Sequence, residues 1–274
     1  MRRVGLGNHR HRLSIGDPVK FIVAIALLFP IAVFGYTEAC LPNITVPSNL
    51  EQGQLEASIQ HRFSGRFDTA GTTFLGFATP AWIDLNLRYM LLKKLEVYTG
   101  FYNTNKEVEL GGAYTLIAPS AYLRFQLDGT FYNFSSYDTT FKEHRDNAGF
   151  LGLDLQTDPF FRCISPTVNG GYDFLKQRWG LGLGVSVTLV DGFDLLGEYF
   201  PIIDKNKDST SIQTTNVFSF GIKFTTAGHH FLLFVQNSPY IDNIPSIGSR
   251  HCMFGTENNN LHFGFAIHRM FDFK

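Results

Sequence analysis

No apolar run in the chain reaches the ~18 residues that a membrane-spanning helix needs. The longest, Phe21 to Phe34, is interrupted by Pro30. Charge of one sign is not in excess: the net charge is −1, which excludes a partner such as nucleic acid held by a basic surface. Cysteine is scarce, at 3 residues, and Cys40, Cys163 and Cys252 show no C-x-x-C spacing, so the sequence carries no zinc or redox motif. No G-x-S-x-G appears, and no convincing helical periodicity either. Tryptophan is nearly missing (2 residues), whereas phenylalanine (28) and glycine (26) are abundant. Much phenylalanine at modest overall hydrophobicity suits strands that are apolar on one face only.

The last stretch has that character. Leu261, Phe263, Phe265, Ile267, Phe271 and Phe273 alternate with His262, Gly264, Ala266, His268, Met270 and Asp272. Successive side chains of a strand point to opposite faces, so one face is fat and aromatic and the other small or polar. In a membrane barrel the apolar face meets lipid and the polar face meets the lumen. Arg269 breaks the apolar face and must lie near an interface, where its head group can reach water.

At the other end, Arg2, Arg3, Arg10, Arg12 and Lys20 precede the apolar run, and small residues follow at Gly35 and Ala39. A basic region, a short apolar core and a small-residue exit predict a secretory signal over 1–35. Cleavage after Ala39 is also compatible, whereas Thr37 to Cys40 makes a poor lipobox. Residues 36–52, with Pro42 and Pro47, read as a loose lead-in, and 53–274 as the barrel.

Between these ends the chain reads as about twelve strands, an even number, as single-chain bacterial barrels require. The fold class is therefore all-β, an antiparallel transmembrane β-barrel. The connections sort by side. Ser64–Thr72, Asn103–Glu107, Ser135–Asp146, Asp173–Arg178, Asp204–Thr215 and Gln236–Asn260 are mostly long. Leu92–Lys94, Ile117–Pro119, Thr157–Phe160, Val190–Gly192 and Thr226–Gly228 are tight. Long outer loops and short periplasmic turns are the membrane-barrel pattern.

Gln60-His61-Arg62-Phe63, Leu87-Arg88-Tyr89, and Gly228-His229-His230-Phe231 running to Gln236-Asn237-Ser238 carry a resemblance. With these motifs the chain resembles a bacterial family of outer-membrane β-barrels described only as a domain of unknown function. The resemblance implies the barrel and the outer membrane. It implies no activity and no catalytic residue.

Alternation places Glu56, Arg62, Asp84, Arg88, Glu96, Glu109, Arg124, Asp128, Asp154, Asp194, Glu198 and Lys223 toward the lumen. Ionisable groups at membrane depth default to a functional reading, here a cation-preferring passage or solute-binding lumen. Neutralising Asp128 or Glu198 is then expected to lower a cation current. The alternatives are a lumen plugged by ion pairs and hydrogen bonds, a barrel that docks a periplasmic or surface protein through Ser135–Asp146 and Gln236–Asn260, or a lipid-acting enzyme at His61. The expected partners are membrane lipid and a small solute, with no cofactor, no catalytic group and no metal. A metal at His229 and His230 needs a third ligand, and His262 and His268, roughly 20 Å apart along their strand, cannot both serve one ion with that pair. Asp204, Asn206 and Asp208 mimic a calcium loop without its glycine and glutamate. The glycines of Gly180 to Gly184 lie inside a strand, where they relieve crowding or curve the sheet rather than hold a dinucleotide. Cys163 and Cys252 are either thiols or a pair.

Overall fold

A computed structural model of the chain describes residues 40–66, 78–103, 106–117, 123–137, 143–157, 163–174, 177–201, 216–237 and 261–273. Twelve antiparallel strands close into one barrel: β1 (Gln54–Arg66), β2 (Ala81–Leu92), β3 (Leu95–Tyr102), β4 (Glu107–Ile117), β5 (Leu123–Tyr137), β6 (Glu143–Thr157), β7 (Ile164–Asp173), β8 (Arg178–Val190), β9 (Phe193–Phe200), β10 (Val217–Thr226), β11 (His229–Gln236) and β12 (His262–Asp272). Each strand pairs with its neighbour in sequence, and β1 pairs with β12 from Gln54↔Asp272 to Arg62↔Gly264. Closure gives every strand two paired neighbours, as hydrocarbon demands, and the far ends of β5 and β6 run past theirs.

Burial is inverted relative to a water-soluble protein. Leu110 is 63% exposed, Phe220 60% and Leu151 55%, all on the outer face, while Arg62 is 0% exposed on the inner one. A continuous exposed apolar surface of this kind marks a lipid interface. Sliding any strand by one residue would turn its charges outward. An arginine alone would then cost ~2–4 kcal/mol at the bilayer midplane.

The closing seam is aromatic. His61 stacks on Phe265 with ring centroids 4.8 Å apart, and Phe63 lies 6.2 Å from Phe263. Arg269 faces outward near the end of β12, where its Nη1 meets His229 Nε2 at 2.6 Å and its guanidinium covers the Phe271 ring. That position gives its charge the interface it needs.

Inside, glycines make room for large side chains on neighbouring strands. A Cβ at Gly264 would lie 2.5 Å from the Phe234 ring, and one at Gly111 would lie 2.3 Å from the Tyr98 ring. The lumen is thus fitted together, with large side chains seated over bare backbone.

Two expectations need correction. Most of Ser135–Asp146 is strand rather than loop. β5 and β6 pair from Leu123↔Thr157 to Tyr137↔Glu143, leaving 138–142 as the connection. At ~3.4 Å per residue and a tilt near 40°, these 15-residue strands rise roughly 38 Å, well past an apolar band of ~25 Å. Their polar ends, including Asn133, Asn147 and Glu143, hydrogen-bond each other and their neighbours above that band. The second correction concerns the lead-in, which is not loose along 40–50: this segment lies inside the barrel, nearly all of it buried. The expected export signal and the calcium-like residues 204–208 lie outside the described residues.

Candidate functional site

The lumen is the candidate site, and the 40–50 segment is its centrepiece. Having no regular structure of its own, the segment must take hydrogen bonds from the wall. Glu198 on β9 supplies three of them. Its carboxylate accepts from the main-chain N–H of Asn43 (2.7 Å) and Ile44 (2.8 Å), from Asn43 Nδ2 (2.6 Å) and from the Ser219 hydroxyl. The Pro42 carbonyl accepts from Gln60 Nε2 (2.8 Å) and Arg62 Nη2 (2.9 Å). Asn169 donates to the Thr45 carbonyl, and Ser48 N–H donates to Gln126.

The apolar side chains of the segment have their own berth. Leu41, Ile44 and Val46 join a buried cluster with Leu196, Phe200, Val217, Leu232 and Phe234. Gly182 and Gly184 of β8 open the wall for them. A Cβ at Gly184 would lie 2.6 Å from Leu41 Cδ1 and 3.0 Å from Ile44 Cδ1. Crowding is therefore the reason for these two glycines.

All twelve expected lumen residues fall on the inward face; Arg88 and Arg124 are half-buried and the other ten are buried. They do not form one site. Glu198 and Arg62 hold the segment. Arg62 also donates to Gln60 and Gln236 and lies 5.1 Å over the Phe234 ring. Lys223 and Asp194 form an ion pair at 2.6 Å. Asp154 accepts from Asn169. Arg88 grips Glu96 through two bonds (2.8 and 3.2 Å) and reaches Glu56 at 3.5 Å.

Beside the segment lies a cavity of about 100 Å³. Glu56, Asp84, Glu96, Glu109 and Asp128, one from each of β1 to β5, line it against Arg88 and His268. Neither oxygen of Asp128, beside the Asp154 carboxyl, takes a hydrogen bond from an N–H or hydroxyl donor among the described residues. A buried carboxylate calls for a donor or a counter-charge.

The histidines separate as their spacing implies. His230 and His268 are opposite each other on β11 and β12, and His262 pairs with Gln236 farther up the barrel. The sequence reading missed the segment itself. Its prolines say only that it is not a strand. Its partners sit 155 and 193 residues away in Glu198 and Gln236, and no local pattern encodes that contact.

No curated protein sequence matches the chain. Among solved structures the barrel is similar to the KdgM porin (8% identity, TM-score 0.49, covering 79% of this chain and 99% of that one). It is also similar to the NanC porin (9%, TM-score 0.47, 78% and 98%) and to a variant of the Rhodopseudomonas blastica porin (8%, TM-score 0.35, 69% and 55%). Residues 41–157 and 174–271 match the family described as a membrane bound beta barrel domain (DUF5777), a match that begins inside the lumen segment. The chain belongs to this family of membrane-bound β-barrels.

Proposed function

We propose that this chain is a bacterial outer-membrane barrel, exported by its N-terminal signal, that takes small cationic solutes into an acidic lumen. The 40–50 segment sets the width of the path. The observation that carries the reading is the cavity, where five carboxylates face one arginine and one histidine, and where the Asp128 oxygens, beside the Asp154 carboxyl, take no hydrogen bond from an N–H or hydroxyl donor among the described residues. At about 100 Å³ it suits an ion or a small ammonium compound, since a water occupies ~30 Å³ of liquid. An acidic ring favours cations. The reading includes no catalytic step.

Single-channel recording of the folded barrel in a planar bilayer, with reversal potential in a salt gradient, tests it. A cation-selective current whose selectivity falls on Asp128→Asn supports the reading. A folded barrel that passes no current, or passes anions preferentially, refutes passage.

A second reading is favoured by the β5–β6 hairpin, which rises beyond the apolar band with Lys106 bound to Glu143 and Arg145 bound to the Lys106 carbonyl. A rigid, charged projection of this kind suits a protein partner at the surface. Loss of a partner on trimming 136–144, with the current intact, would favour docking over passage.

A further inference from the structure

Three side chains of different chemistry converge where the lumen segment enters the described barrel. Cys40 opens the segment, Glu56 points inward from β1, and His268 points inward from β12. Their donor atoms (the thiol sulfur, a carboxylate oxygen and a ring nitrogen) all lie within 4.8 Å of one another. We propose that Cys40, Glu56 and His268 bind a divalent transition-metal ion of the zinc class, which fastens the lumen segment to the closing seam of the barrel.

The donor set selects the metal. A thiolate excludes magnesium and calcium, which want oxygen, while thiolate, imidazole and carboxylate together suit zinc. Around a tetrahedral zinc the donors stand roughly 3–4 Å apart, so small side-chain rotations complete the site. His268 is already oriented: Nδ1 lies 3.4 Å from Glu56 Oε1, and Nε2 is buried with no hydrogen-bond partner among the described residues. Arg88 reaches the same Glu56 oxygen at 3.5 Å, and its two bonds to Glu96 keep most of its own charge engaged there. A coordinating carboxylate commonly has such an outer partner. Three protein ligands leave a fourth position open toward the cavity that they also line. The thiol proton leaves to solvent on binding, and no other bond changes.

The site does not depend on conduction. Cobalt spectroscopy reads it with no reference to current, so failure of one reading leaves the other standing. Untagged barrel purified from membranes is titrated with Co²⁺ alone. The expected result is one ion per barrel, with tetrahedral visible bands and a near-ultraviolet thiolate-to-cobalt charge-transfer band that Zn²⁺ bleaches. Cys40→Ser should abolish the charge-transfer band, His268→Ala should weaken binding at least tenfold, and Cys163→Ser should change neither. A folded barrel with no charge-transfer band overturns the proposal. So does a band that survives Cys40→Ser.

Discussion

Replacing Glu198 by alanine should open the lumen. The Glu198 carboxylate is the acceptor for two main-chain N–H groups and one side-chain amide of the 40–50 segment. Each buried donor left without a partner costs about 1–3 kcal/mol. After partial rescue by neighbours such as Gln236, the docked state loses on the order of 4 kcal/mol. That is roughly three decades in the ratio of docked to undocked segment. The effect is opposite in sign to the one expected from sequence, where Glu198 is one more carboxylate attracting cations. Two readouts are direct. Cys40, only 4% exposed when docked, should react with a maleimide at least a hundred times faster in Glu198→Ala. The single-channel current should rise rather than fall. Glu198→Gln, which keeps one acceptor oxygen, should fall between. Altered electrophoretic migration on heating confirms that each variant is folded. A folded Glu198→Ala barrel with parental Cys40 reactivity and parental current would refute the anchoring role.

Other perturbations follow from the same contacts. Gly184→Val sets new carbons against Leu41 and Ile44, so it should expel the segment, raise Cys40 reactivity, and be partly rescued by Leu41→Ala. Phe234→Ala removes a buried ring seated over Gly264 and should cost about 3–5 kcal/mol, measured by urea unfolding in detergent. Asp128→Asn should lower cation selectivity, read as a reversal potential nearer zero, without freeing Cys40. Trimming 136–144 should leave the barrel folded and heat-modifiable, because its strand pairs lie above the apolar band.

Period-two alternation carried most of the fold. It set twelve strands and the lumen side of each, because lipid outside and polar groups inside impose the same alternation on every strand. Where that constraint ends, legibility ends too. Ser135 to Tyr137 and Glu143 to Asp146 pair above the bilayer, where polar residues on both faces erase the alternation. The 40–50 segment has no period at all. Its main-chain donors find side chains on β5 and β9, and a main-chain donor looks the same in any sequence. The glycines of β8 were visible as a pattern, but their purpose lay in Leu41 and Ile44, which only the folded lumen brings near. The Cys40, Glu56 and His268 cluster draws on both ends of the chain and leaves no spacing motif.

The aromatic seam between β1 and β12 is where the barrel closes. Until these two strands pair, the barrel is an open sheet. The 40–50 segment precedes β1, yet it bonds to β5, β7, β9 and β11 as well as β1. It can lie on the concave face of that growing sheet, gathering strands before the rim meets; once the rim has met, it would have to thread in through one end. Contacts this distant in sequence form slowly, since the chain's entropy is lost before they reward it. A segment that holds five strands together shortens that search. The same eleven residues that fill part of the lumen therefore tie together strands that lie far apart in the sequence.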